Sequence, residues 1–178
     1  MPDPLHLFLD RLSTPIGPMM LVVDEAGRLR VAFFTDDEAR VRRQLDKLYG
    51  AEGSVVEHAR NPHGLTDAMA RYFAGELHAI DEIPVESGGT QFQREVWQAL
   101  RTIPCGATTS YGKLAQQIGR PDAVRAVGHA NGTNPIAVVV PCHRVIGANG
   151  SLTGYGGGIE RKRWLLNHES APTLFSMR

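Results

Sequence analysis

Long apolar runs are missing from this 178-residue chain. The longest, Pro135 to Cys142, is far too short to cross a bilayer. The start, Met1-Pro2-Asp3-Pro4, is acidic where a secretory signal would be basic, so neither a membrane protein nor an exported one is expected. Cysteine is scarce: Cys105 and Cys142 are the only two, and their spacing suggests neither a metal site nor a disulfide framework. Two free thiols fit a cytoplasmic protein. Internal repeats are absent as well. The glycines of the late loop do not follow a strand, as a nucleotide-binding fingerprint requires. Net charge is also lacking, with 19 basic and 19 acidic residues.

That neutrality hides a division. Residues 1–90 hold 9 Lys/Arg against 15 Asp/Glu, whereas residues 91–178 hold 10 against 4. A basic working half beside an acidic companion is one reading, and ordinary surface variation is the other. Hydrophobic residues make up 42% of the chain, enough for real cores in one domain or two small ones.

The first half has the pattern of a small mixed α/β unit. Strands are expected at Leu5–Leu12, Met19–Val23 and Leu29–Phe34, separated by Ser13-Thr14-Pro15-Ile16-Gly17-Pro18 and Asp24-Glu25-Ala26-Gly27. Pro15 and Pro18 should sit outside the ladder. A helix follows, capped by Asp36 or Asp37, with Ala39, Leu45 and Leu48 at helical spacing. Residues 50–64 read as irregular, Thr66–Phe73 as a short helix stopped by Gly75, and 81–89 as a linker between domains 1–80 and 90–178.

In the second half Thr90 has Gln93 three positions on, a capping-box arrangement, and Phe92, Val96 and Leu100 continue a helix that ends before Pro104. Ser110–Ile118 reads as a second helix, stopped by Gly119. Pro121 opens a third through Val124, Val127 and Gly128, giving a helix-turn-helix. Ala123, Ala126, Gly128 and Ala130 make this third helix small on one side. The apolar, β-branched stretch Ile136–Val140 leads into Pro141-Cys142-His143, a glycine-rich loop spans Gly147–Gly158, and Ile159–Glu169 reads as a basic amphipathic helix.

Cys142 beside His143 is the chemically suggestive pair, because a thiol becomes a good nucleophile only when a base takes its proton. Alone, the pair says little. Cys142 reads equally as a small buried hydrophobe, and successive side chains on a strand point to opposite faces. The surrounding residues are more informative. Arg125-Ala126-Val127-Gly128, Asn134-Pro135, Pro141-Cys142-His143-Arg144-Val145-Ile146, Gly154-Tyr155 and Trp164-Leu165-Leu166 with His168-Glu169 together resemble the O6-alkylguanine-DNA alkyltransferases. The resemblance is dense over 90–169. It is looser from 13 to 84, through Ser13-Thr14-Pro15-Ile16-Gly17 and Tyr72-Phe73-Ala74-Gly75.

The resemblance implies a ribonuclease H-like N-terminal domain and a winged-helix-like C-terminal domain. It also implies repair by single, irreversible transfer of an alkyl group from O6 of guanine, or O4 of thymine, to Cys142. His143 would be the base, acting through water, and Glu169 the carboxylate that orients it. Asn134 would brace the turn between recognition helix and active site, and Tyr111 would help move a proton to the leaving guanine. Arg125 would enter the base stack. The small residues Ala126 and Gly128 would let the helix approach the minor groove of double-stranded DNA. Tyr155, Gly156 and Tyr111 would wall the guanine pocket. No cofactor, metal, membrane or obligate protein partner is implied, and a monomer is expected.

Departures from the family are visible too. The zinc site of larger animal members is absent, since no cysteine precedes Cys105, and Gly156 stands where some members have serine. Cys105 lacks an adjacent histidine and reads as structural. Arg161, Lys162 and Arg163 stay open between a solvated helix face and a phosphate contact. Two other classes remain as alternatives: a lesion-sensing DNA-binding module, which would lack the acceptor cysteine, and a cysteine hydrolase, which would need a deacylation route.

Overall fold

The computed structural model describes residues 2–170. The fold divides into two compact units, one of residues 1–89 with 135–137 and one of residues 90–134 with 138–178.

The first unit is built on a four-stranded sheet in the spatial order Leu29–Phe34, Gly17–Asp24, Leu5–Thr14, Ser54–His58. β1 (Leu5–Thr14), β2 (Gly17–Asp24) and β3 (Leu29–Phe34) form an antiparallel meander. Its tight turn carries Pro15 and Ile16, and Thr14 Oγ1 donates to Gly17 O at 2.6 Å. Pro18, expected outside the ladder, lies inside it opposite Ser13. The physical reason is register. Thr14 and Gly17 close the hairpin, so the next pair is a non-hydrogen-bonded one in which residue 18 turns its N–H side away from β1. β3 ends opposite Met19, so no neighbouring strand is deprived of a donor there.

α1 (Glu38–Tyr49) is capped by Asp37, whose carboxylate accepts from Ala39 N at 3.0 Å. It places Val41 and Leu45 over Leu7, Leu9, Met20, Val22 and Val31 of the sheet. β4 (Ser54–His58) then pairs parallel to β1. This strand was expected to be irregular chain. It is an edge strand with Val55 56% exposed, so its sequence carries no buried alternation to read. α2 (Leu65–Phe73) follows. The expected linker is not free chain either: Val85 bridges Leu29, and Ile83 is buried.

In the second unit α3 (Gln91–Leu100) starts with a complete capping box, Gln93 N to Thr90 Oγ1 at 3.1 Å and Thr90 N to Gln93 Oε1 at 2.9 Å. α4 (Tyr111–Gln117) is capped by Ser110 and packs with α3 against α5 (Val124–Gly132). Trp97 of α3 donates from Nε1 to Ala130 O at 2.8 Å, tying α3 to α5. α5 begins three residues later than Pro121 suggested. Arg120 O accepts from Ala123 N at 2.9 Å in a turn, which uses Pro121 and Asp122 before the helix starts. A two-residue parallel pair, β5 (Thr109–Ser110) with β6 (Val145–Ile146), and α6 (Ile159–Ser170) complete the unit.

Around residues 136–169 one expectation fails, and one apolar, β-branched stretch lacks the regular structure that its composition favours. The segment Ile136–Val140 is turn rather than strand: Ile136 makes one bridge to Ala32, and buried Val138 adopts φ +73°. A β-branched residue in that region is strained by about 1–3 kcal/mol, so tertiary contacts must hold it there. α6 is not amphipathic in the usual sense, because its buried stripe is Lys162, Leu165 and Glu169. Two of those three side chains carry charges.

Both tryptophans, Trp97 and Trp164, lie in the second unit. Thr90→Ala removes an acceptor from the capping box and is expected to destabilise that unit by about 1 kcal/mol. Tryptophan fluorescence during urea unfolding would show it, and an unchanged midpoint would mean the cap is dispensable.

Candidate active site

Pro141 shapes the approach to Cys142. With φ −83° and ψ 64° it centres a three-residue inverse γ-turn, in which Cys142 N donates to Val140 O at 2.8 Å. Proline suits this position because its ring presets φ and the position spends no N–H. Asn134 Nδ2 donates to the same Val140 oxygen at 2.8 Å, fixing the turn to the chain just after α5. Asn131, which sequence reasoning missed, is buried in α5 with Nδ2 3.5 Å from Cys142 O.

Cys142, His143 and Arg144 form one 3-10 turn. Consecutive residues there project about 120° apart, unlike the opposite faces of a strand. All three side chains are buried. Glu169, from the last turn of α6, ties two of them together. Its Oε2 accepts from His143 Nε2 at 2.8 Å and from Arg144 Nη2 at 2.9 Å, and its Oε1 accepts from Arg144 Nε at 2.8 Å. Arg144 also donates from Nη1 to Ile103 O at 2.7 Å. Sequence reasoning gave Arg144 no role. Its signal was its place in the Pro141–Ile146 motif, beside His143.

The electrostatics define the protonation states. Burial pushes the Cys142 thiol up, opposed by a hydrogen bond from the Asn134 side chain and by the Lys162 charge. Burial lowers His143, and the Glu169 contact only partly offsets it. Burial also works against the Glu169 carboxylate, but hydrogen bonds from His143 and Arg144 outweigh it and hold this group well below the usual range. At neutral pH the set is therefore a thiol, a neutral imidazole, a carboxylate and a guanidinium. Because His143 Nε2 donates to Glu169, the ring's lone pair is on Nδ1, a buried atom with no hydrogen-bond partner among the described residues. A base is ready to take a proton.

Lys162, left open in the sequence, is fully buried. Its Nζ donates to Val145 O at 2.6 Å and Thr153 O at 3.2 Å, so it faces inward and fastens the 147–158 loop. Arg163 pairs with Glu160 and is exposed, while Arg161 donates to Gly157 O at 3.0 Å. Tyr111 opens α4 with its phenol oxygen 2.6 Å from Thr153 Oγ1. Tyr155 OH is buried and has no partner among the described residues. Burial raises it well above its ordinary value. Gly156 is exposed, with open space where a Cβ would stand. Cys105 lies apart from the 3-10 turn in sequence and is half-buried.

On α5 the small residues do not share one surface. Ala126 is exposed, Ala123 and Gly128 are half-buried, and Ala130 is in the core. A Cβ on Gly128 would lie 3.7 Å from the Tyr111 ring, so this glycine sits at the contact with α4. The outer face presents Val124, Arg125, Ala126 and His129. Arg125 makes no ion pair among the described residues, in contrast to Arg120, which pairs with Glu95 at 3.0 Å.

A helix-turn-helix unit that houses a buried cysteine, a neutral histidine base and a locked carboxylate defines a DNA-binding protein built for nucleophilic thiol chemistry. The comparisons narrow that class. Residues 91–171 match the family described as the DNA-binding domain of 6-O-methylguanine DNA methyltransferase. The methylated-DNA–protein-cysteine methyltransferase of Shigella flexneri is 54% identical over 93% of this chain and 96% of its own. That of Mycobacterium bovis is 61% identical, covering 90% of each. The crystal structure of Mycobacterium tuberculosis OGT in complex with DNA superposes with a TM-score of 0.76 at 43% identity over 94% of both chains. This chain belongs to the methylated-DNA–protein-cysteine methyltransferase family.

The pH dependence of stability has a definite sign. Unfolded His143 takes a proton near its ordinary 6.5, while the buried ring takes one only at lower pH, so acidification from about 6.5 favours the unfolded chain. Glu169 acts in the same direction below about 4.5, because the folded carboxylate stays ionised after the unfolded one is protonated. Urea midpoints of the tryptophan-reported unit should fall from pH 6.5 downward, and His143→Gln should flatten the upper part of that decline. Glu169→Ala strips Arg144 of its buried counter-charge and should cost roughly 3–5 kcal/mol. A smaller loss, near zero, would mean the pair is solvated.

Proposed function

We propose that this chain repairs DNA by transferring an alkyl group from O6 of guanine to Cys142, once and irreversibly. The observation that carries the reading is the His143 ring: neutral, fixed at Nε2 by Glu169, and offering a buried, unpartnered Nδ1 in the residue that follows Cys142 in the same 3-10 turn. His143 takes the thiol proton, directly or through water, as sulfur attacks the alkyl carbon. The C–O6 bond breaks and guanine leaves with the electron pair. A proton from Tyr111 neutralises the departing base. The thioether has no leaving route, so each molecule reacts once. Tyr155 and the loop at Gly156 line the guanine pocket, and Asn134 holds the turn. No cofactor is required, because the nucleophile is protein and the alkyl donor is the substrate.

DNA is the macromolecular partner. An alkyl group on O6 cannot be surrounded by a thiol and its base inside the stack, so the nucleotide rotates out, at a cost of a few kcal/mol. α5 supports minor-groove binding: its exposed face is short-chained at Ala126, and Arg125 projects from it without an ion pair among the described residues. It offers no bidentate Asn or Gln set for reading base edges, so binding independent of sequence follows. Repair in the cytoplasm fits two cysteines that are not joined in a disulfide, and the resemblance implies a monomer.

Four outcomes test this. Cys142→Ser should abolish transfer from a duplex carrying labelled O6-methylguanine while leaving DNA binding nearly intact. Peptide mapping of the reacted protein should put the added mass on residue 142; mass on Cys105 would overturn the assignment. Arg125→Ala should slow repair of duplex by the equivalent of the few kcal/mol that flipping costs, yet react with free O6-benzylguanine at close to the native rate. Equal slowing of both would make Arg125 a structural residue instead.

The fourth outcome is a pH profile. The reactive pair is thiol plus neutral imidazole, whose population is constant between the lowered histidine and the raised cysteine. Single-turnover rates should therefore be flat from about pH 6.5 to 8. A tenfold rise per pH unit over that range would instead mean that Cys142 ionises alone.

A further inference from the structure

We propose that Thr153 is a positioning residue for the reaction: its hydroxyl donates a hydrogen bond to the Tyr111 oxygen, aiming the phenolic proton at the leaving guanine. The inference rests on the reading of Tyr111 as proton donor. Three observations carry it. The two oxygens are 2.6 Å apart, within the range of a short hydroxyl–hydroxyl bond. Thr153 lies in a loop without regular structure, yet its backbone is fastened: Lys162 Nζ donates to Thr153 O at 3.2 Å and to Val145 O at 2.6 Å. Lys162 is fully buried and has no carboxylate partner among the described residues. Burying an ammonium on carbonyls alone is costly, so a buried lysine at this point holds the loop where a neutral side chain would let it drift. The Tyr111 ring is seated from the other side by α5, with Gly128 leaving it room.

The geometry matters because a hydroxyl pair has a direction. If Tyr111 donated to Thr153, its proton would point away from any base. With Thr153 as donor, the Tyr111 hydrogen is free for the guanine, and the bond strengthens as negative charge grows on the phenol oxygen. During transfer the Sγ–C bond forms, the C–O6 bond breaks, and the guanine anion takes the Tyr111 proton. Thr153 keeps its own proton throughout. The phenolate and the imidazolium of His143 that remain are neutralised by exchange with water.

The test compares single-turnover rates on duplex O6-methylguanine for Tyr111→Phe, Thr153→Val, Thr153→Ser and the double Tyr111→Phe/Thr153→Val, with DNA affinity and melting temperature measured for each. Thr153→Val should slow transfer by roughly tenfold or more, the worth of a hydrogen bond to a charged oxygen. Affinity and melting temperature should stay unchanged, since valine keeps the shape. Thr153→Ser restores the donor and should recover the rate to within about twofold. The double variant should be no slower than Tyr111→Phe alone, because without the phenol oxygen Thr153 has nothing to position. A native rate for Thr153→Val, no rescue by serine, or multiplicative losses in the double variant would each overturn the proposal while leaving Tyr111 as donor. A native rate for Tyr111→Phe would overturn both.

Discussion

The active unit depends on one buried carboxylate. Glu169 sits in the last turn of α6, and its two oxygens accept three hydrogen bonds from His143 and Arg144. It therefore joins the helix to the 3-10 turn that carries the nucleophile. Arg144 extends the tie to the chain after α3 through Ile103 O. The arrangement needs the arginine. A carboxylate facing only a neutral imidazole would be poorly compensated in a dry interior, and the proton would shift toward it, leaving His143 without its Nε2 donor. With the guanidinium bound to both oxygens the carboxylate stays charged, the ring tautomer is set, and Nδ1 is left basic. Structure and chemistry thus share one ion.

Charge placement also changes what the basic second half means. Of its ten Lys/Arg, Arg144 and Lys162 point inward, to carbonyls and a carboxylate rather than to a partner. Arg120 and Arg163 are paired with acids on the surface. The positive excess is therefore a weaker index of DNA attraction than its size suggests. Among the described residues Arg125 is exposed and outside any ion pair, which is why the proposed reading gives it to the nucleic acid.

Much of this was legible in the sequence because local chemistry and final structure agree. The Thr90–Gln93 box starts α3, Asp37 caps α1, and the β1–β2–β3 meander follows its turn residues. The constellation of Cys142, His143 and Glu169 was also in view, though only through resemblance, since 26 residues separate histidine from carboxylate. The failures have physical causes. β4 is an exposed edge with no buried face to alternate. Ile136–Val140 has the composition of a strand, but tertiary contacts force Val138 into a left-handed conformation that propensity opposes. α6 hides its buried stripe because hydrophobic periodicity cannot detect a lysine and a glutamate used as core residues. Thr153 had no signal at all. Its role comes from a contact 42 residues away in sequence.

The resting protonation state suits a protein that reacts once. A thioether cannot be undone, so every stray electrophile that met a standing thiolate would consume a molecule without repairing anything. Burial avoids this by keeping Cys142 protonated, despite the favourable Asn134 hydrogen bond and Lys162 charge. Those two features are too weak to ionise the thiol at rest, yet they lower the cost of ionising it once His143 accepts the proton. In the mechanism proposed above, reactivity then depends on a substrate whose leaving group is assisted by Tyr111, which an adventitious alkylating agent does not use. Selectivity in such a site lies less in how reactive the sulfur is than in how many groups must act together before it reacts.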